Sequence, residues 1–158
     1  MEYNHIEDNH IELIEIKKIL VPFDNSKLAV RAFWNAINVA SKFKSEIFVL
    51  SAIHSDFFSS SFLDFNSHQT VLENKKIKEI KLKHCELKNF AKKYHVTVNS
   101  EVVISPSTSQ IIISYIYSTR ANMVIMGTRG NGNDKKLMLG SVSLEISQNS
   151  PVPVMLVK

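Results

Sequence analysis

Hydrophobic positions along the chain alternate between two periods. Lys17 to Phe23 (KKILVPF) and Glu46 to Ile53 (EIFVLSAI) are short apolar runs with the length and composition of strands. Between them, SKLAVRAFWNAINVASKF places Leu28, Ala32, Ala36, Val39, Ala40 and Phe43 at three- and four-residue steps, which predicts an amphipathic helix N-capped by Ser26. A polar and aromatic loop, HSDFFSSSFLDFNSH, follows the second run. A long helix is then expected from about Ser67 to Tyr94, with Ile77, Ile80, His84, Leu87, Ala91 and Tyr94 as its inward stripe. Thr97 to Ile104 reads as a third strand, broken by Pro106. Ser107 to Thr119 reads as a short helix with Ile112 and Ile116 inward, and ANMVIMG as a fourth strand. A helix from about Ser141 to Asn149 and a final strand, VMLVK, complete a β-α-β-α-β-α-β-α-β alternation. Strands joined by helices need crossovers, so the expected fold is a five-stranded parallel, doubly wound, Rossmann-like α/β sheet covered on both faces.

Composition narrows the setting. At 158 residues the chain suits a single domain with a real core. Its formal charge of +4 and pI near 9.1 favour anionic partners without arguing for nucleic acid. No apolar run approaches the ~20 residues of a membrane helix, and the acidic start MEYNHIEDNHIE lacks the basic and apolar regions of a signal peptide. The single cysteine, Cys85, cannot form an internal disulfide. A cytoplasmic setting is therefore expected. Residues 1–16 are expected to form an inert extension and residues 17–158 the folded domain. His5 and His10 alone are too few ligands for a metal site.

The chain has only four glycines, and all lie between Met126 and Ser143: Gly127, Gly130, Gly132 and Gly140. Glycine is required where the backbone takes a positive φ or approaches another object closely. The window is not a Walker A loop, because no glycine precedes Lys-Ser or Lys-Thr. It is not the dinucleotide fingerprint either: Gly130-Asn131-Gly132 would need a glycine at 135, where lysine stands, and the loop follows the fourth strand rather than the first.

Gly127-Thr128-Arg129-Gly130, nine further residues, and Gly140-Ser141 together form G-x2-G-x9-G-[ST] directly after an apolar strand. This resembles the ATP-binding signature of the universal stress protein family. Val21-Pro22-Phe23-Asp24-Asn25-Ser26 resembles that family's V-P-x-D-x-S, and LGSVSLEISQNSPVPVMLV its final helix and strand, so the resemblance runs from residue 17 to 158. Three departures stand out. Asn122 replaces the usual aspartate before the fourth strand, Ser105-Pro106-Ser107-Thr108 replaces Gly-x-Pro-Ala, and the loop after the second strand is rich in Ser and Phe.

The resemblance implies strand order 3-2-1-4-5 and a crevice where the first and fourth strands part. Gly127 and Gly130 would let the backbone approach phosphate oxygens. Gly140, Ser141, Val142 and Ser143 open a helix whose free amides and positive dipole end favour an anion, with Ser141 and Ser143 adding hydroxyl donors. Arg129, Lys135 and Lys136 bring positive charge. Pro22 and Phe23 offer apolar surface to a base, Asp24 accepts from its amino edge or from ribose, and Met126 ends the strand beneath. The expected ligand is ATP, with Mg²⁺ or Mn²⁺ held mainly by its phosphates. The expected function is a nucleotide-dependent regulatory or stress-response switch acting on an unknown protein partner. The alternatives are a slow ATP hydrolase or nucleotidyl-transfer relative, and a ligand-free dimeric scaffold. No residue is assigned a catalytic role. The resemblance also implies a homodimer, with VPVMLVK as a plausible pairing edge. Cys85 reads as a bystander thiol, His84 as a packed histidine, and Trp34, opposite the alanine face, as a residue available to a partner.

Overall fold

In the computed structural model, the described residues are 15–54, 67–131 and 139–158, with side chains described from residue 74 in the second of these segments. The elements are β1 (Lys18–Pro22), α1 (Lys27–Phe43), β2 (Glu46–His54), α2 (Ser67–Lys92), β3 (Val98–Ser105), α3 (Thr108–Thr119), β4 (Met123–Gly127), α4 (Ser141–Asn149) and β5 (Val154–Val157). All four strand pairings are parallel and the order is β3-β2-β1-β4-β5. The polar loop after β2, Lys135, Lys136, Gly132 and the histidines of the N-terminal extension lie outside the described residues.

The central strands are mainly apolar because both of their faces are covered, with buried Ser51 the polar exception inside β2. Ile19 and Val21 of β1, Ile47 and Val49 of β2, and Ile125 of β4 share one buried layer with Ala29, Ala32, Phe33, Ala36, Ile37 and Ala40 of α1 and Leu87 and Ala91 of α2. Leu20, Leu50, Val124 and Met126 face the other way, onto Ile112 and Ile116 of α3 and Ile146 of α4. The strand period of two thus feeds two separate cores from one sheet.

Two predicted apolar stripes need correction at their ends. Phe43 has the right angular position on α1 but is 59% exposed, whereas Ala40 in the turn before it is buried in the core, so the buried face of the helix ends before its last residue. Phe33, Ala29 and Ile37 carry the burial instead. Tyr94, placed inward by periodicity, is 46% exposed because α2 ends at Lys92. Its ring stands 5.2 Å from Phe90, and Phe90 stands 5.0 Å from Trp34, which is 52% exposed as expected.

Two of the three departures from the family pattern, at Asn122 and at Ser105–Thr108, are accommodated locally. Asn122 Oδ1 accepts from the amides of Lys17 and Lys18 at 3.0 and 2.9 Å, fixing the start of β1 beside β4. In the turn after β3, Ser105 Oγ accepts from the Ser107 amide at 3.2 Å, and Ser107 Oγ caps α3 by accepting from Gln110 N. Serine side chains thus supply acceptors that this turn's backbone needs. Among the described residues, no helix is long and apolar enough to cross a membrane.

Candidate functional site

β1 and β4 are neighbours for only part of their length. They pair at Ile19–Met123 and Leu20–Val124 and then separate. Beyond that point Phe23 N donates to Leu50 O of β2 at 2.8 Å, whereas Thr128 N donates to Val157 O of β5 at 2.9 Å. Each strand end leans toward its outer neighbour, and the sheet opens between them. This is the topological switch point of a doubly wound sheet, at the carboxyl ends of the strands.

A cavity of about 400 Å³ fills the opening. All eleven residues singled out from the sequence border it: Pro22, Phe23 and Asp24 on one side, Met126, Gly127, Arg129 and Gly130 on the other, and Gly140, Ser141, Val142 and Ser143 at the start of α4. Leu50, Ala52, Ala29, Thr108, Ile112 and Asn131 complete the wall. Asn131 falls within the glycine window and Thr108 within the turn that replaces Gly-x-Pro-Ala, though neither is among those singled out, and the other four carry no motif. Leu50 and Ala52 are visible in sequence only as the end of an apolar strand, and Ile112 only as a core position.

Hydrogen bonds give several of these residues tasks other than those expected. Asp24 clamps two loops together. Its Oδ1 accepts from Ser26 N at 3.0 Å, across Asn25 with φ of 63°, and its Oδ2 accepts from Asn131 N at 3.0 Å. Asn131 Nδ2 donates back to the Asp24 carbonyl at 2.7 Å. Both carboxylate oxygens are therefore already engaged by the backbone, in an Asx-type turn on one side and a loop–loop bridge on the other. Ser143 is 2% exposed, and its hydroxyl faces Thr128 O at 2.7 Å and Gly140 O at 2.9 Å. A hydroxyl has one proton, so this one is spent within the protein and Ser143 has no hydroxyl proton left for a ligand.

Two of the glycines also admit close approaches within the protein itself. None of the three described, Gly127, Gly130 and Gly140, has a positive φ. A Cβ on Gly127 would lie 2.8 Å from Leu28 Cβ and 3.0 Å from its carbonyl carbon. The absence of a side chain there lets the first turn of α1 sit on the end of β4. At Gly130 a Cβ would meet Asp24 Oδ2 at 2.3 Å, so this glycine makes room for the clamp.

Among the described residues, no side chain caps the opening of α4. Gly140 is the N-cap and provides no side-chain acceptor. Its own N–H goes to Thr128 O at 2.8 Å, and the first intrahelical bond is Leu144 N to Gly140 O. The amides of Ser141, Val142 and Ser143 thus stand at the positive end of a helix on the rim of the cavity, beside Arg129. Deeper in, Pro22, Leu50, Ala52, Ile112 and Met126 form an apolar floor. The cavity is apolar inside and anion-favouring at one lip. Among the described residues there is no group of three or more His, Cys, Asp or Glu able to hold a metal ion.

His84 lies behind the cavity as a packed histidine, 3% exposed, with Nε2 2.9 Å from Ser51 Oγ. Burial, and secondarily the charge of Lys88, lowers its pKa from 6.5 to about 4. In the window between those values the unfolded chain binds more protons than the folded one. His84 therefore costs no stability above pH 6.5 and costs up to about 3 kcal/mol as pH falls toward 4. Thermal melts at pH 7 and pH 4.5 should show a larger loss of Tm for the wild type than for His84→Gln. Parallel losses would contradict this.

Fold and site together define a class: a parallel doubly wound α/β domain with its cavity at the β1/β4 switch point. The chain belongs to the universal stress protein family, whose model matches residues 15–158. It is 26% identical over 142 residues to universal stress protein MJ0531 of Methanocaldococcus jannaschii, covering 90% of this chain and 82% of that one. Among solved structures, UspA from Lactobacillus plantarum superposes with a TM-score of 0.83 at 17% identity, covering 91% of this chain and 99% of its own. The protein MJ0577 superposes with a TM-score of 0.77 at 27% identity, covering 91% and 96%. Two further solved universal stress proteins share the fold and are complexes: one with cAMP (TM-score 0.66, 17% identity, covering 90% and 97%) and one, from Archaeoglobus fulgidus, with dAMP (0.65, 14%, covering 92% and 100%).

Proposed function

We propose that the protein is an ATP-binding regulatory protein of the stress response, a nucleotide-dependent switch. The observation that carries the reading is the convergence, on one cavity, of the uncapped opening of α4 with an apolar floor. Adenine fits the floor formed by Pro22, Leu50, Ala52, Ile112 and Met126. The phosphates meet the amides of Ser141 and Val142 and the Arg129 guanidinium, where a helix N-terminus favours an anion. Gly127, Gly130, Gly140 and Ser143 shape that lip from behind. Relatives solved with cAMP and dAMP support an adenine nucleotide as the ligand class. A Mg²⁺ or Mn²⁺ ion would be held mainly by the phosphates.

Asp24 is the one carboxylate among the described lining residues, and its two bonds hold it in the loop clamp, so no residue there is dedicated to orienting a water. ATP hydrolysis is accordingly expected to be slow or absent. The switch acts in the cytoplasm on a protein partner. β5, an edge strand with all four residues half-buried, is the proposed two-fold pairing edge of a homodimer. Residues 1–16 remain an extension to the domain of residues 17–158. Membrane and nucleic acid play no part in this reading.

Mass spectrometry of gently purified protein tests the ligand. Co-purifying ATP or AMP is the expected result. Protein that is empty as isolated, and that also fails to bind added ATP in calorimetry, would leave a ligand-free scaffold instead.

A further inference from the structure

His84 belongs to α2, yet it is joined to the cavity wall by two hydrogen bonds in series. Its Nε2 lies 2.9 Å from Ser51 Oγ on β2, and the same hydroxyl lies 2.5 Å from the Phe23 carbonyl. A carbonyl only accepts, so the single Ser51 proton points to Phe23 and a Ser51 lone pair takes the Nε2–H of His84. The direction of the whole relay is thereby set, from α2 through β2 to the residue before Asp24. The Phe23 ring adds an edge contact to the imidazole at 6.2 Å between centroids, and its amide is held by Leu50 O at 2.8 Å.

A leucine on α2 would fill this buried space without the cost of taking an imidazole out of water. Ser51 alone would satisfy the Phe23 carbonyl. What the imidazole adds is direction: by occupying the Ser51 lone pair it keeps the hydroxyl proton on Phe23. We propose that His84 is a positioning residue for the cavity, fixing through Ser51 the Phe23 peptide and hence the wall against which the nucleoside half of the ligand packs. The proposal rests on the nucleotide reading above.

The test compares wild type, His84→Leu and His84→Gln by calorimetry with ATP and with adenosine, and by amide NMR without ligand. Glutamine retains an N–H for Ser51; leucine does not. His84→Leu is expected to weaken ATP and adenosine by the same factor, about tenfold, with His84→Gln recovering most of it. In the ligand-free spectra, the amides of Phe23 and Asp24 should shift in His84→Leu while those of Ser141 and Val142 stay in place. General loosening of the domain would instead cost ATP more than adenosine, because the phosphate lip would loosen too, and that result overturns the proposal. Unchanged affinities in His84→Leu overturn it as well. If the wild type binds neither ligand, the nucleotide reading fails. The Phe23 and Asp24 amides then decide separately whether His84 holds this wall: a shift confined to them supports the positioning role, and no shift refutes it. Should His84→Leu not fold, Ser51→Ala breaks the same relay and carries the same expectations.

Discussion

Gly140→Asp is expected to abolish ATP binding while leaving the fold as stable as before. Gly140 has φ of −73° and ψ of 160°, extended values that any residue adopts. A Cβ there would have ordinary contacts only, 3.5 Å to Arg129 Cα and 3.6 Å to Thr128 O. Aspartate is also among the preferred N-cap residues, since its carboxylate accepts from the first-turn amides. That acceptor reaches the second and third amides of the helix, so it takes Val142, one of the two donors proposed for the phosphates, and places a negative charge beside the other. Losing one charge-assisted bond and adding repulsion against the phosphates should weaken ATP by roughly 100-fold, about 3 kcal/mol. Thermal melts should show Tm unchanged or slightly raised. A fall in affinity accompanied by a fall in stability would mean that Gly140 serves the fold, and an unchanged affinity would remove α4 from the site.

Gly127→Val should behave in the opposite way, acting first on stability. The new Cβ would press on Leu28 at 2.8 Å, and its two methyls would enlarge the overlap. The neighbour cannot yield cheaply, because the next atoms met are the Leu28 carbonyl carbon at 3.0 Å and Ala29 N at 3.2 Å, which belong to the capped first turn of α1. Overpacking of this kind costs about 2–3 kcal/mol, or a Tm lower by roughly 5–10 °C for a domain of this size. Differential scanning calorimetry checks it. A Tm within a degree of wild type would show that α1 moves aside freely and that close packing on Leu28 does not require glycine at position 127.

These two glycines mark where sequence reasoning succeeds and where it stops. The elements were legible because the central strands are short, mainly apolar runs and the helices repeat apolar positions at three- and four-residue steps, so period separates them. The order of the sheet came from the family resemblance, and the eleven lining residues came from the spacing of three motifs. Three-dimensional partnership was not legible. Nothing local shows that Asn131 reaches back 107 positions to Asp24, or that Leu28 occupies the space beside Gly127. Ser143 reads equally as a free hydroxyl or an inward one, and only its bonds to Thr128 and Gly140 decide. Phe43 and Tyr94 failed for a related reason. Periodicity gives the angle of a residue around a helix, not where the helix or its buried face ends.

The central claim is that the opening of α4 and the loop after β4 grip a polyphosphate while the floor beside Pro22 holds the base. Amide-resolved NMR titration with ATP probes it most directly. Saturating ATP should shift the amides of Ser141, Val142, Gly130 and Asn131, and adenosine should shift Phe23 and Asp24 but leave Ser141 and Val142 where they were. Binding of ATP that leaves the α4 amides unmoved, or that shifts only residues away from the β1/β4 opening, would contradict the claim.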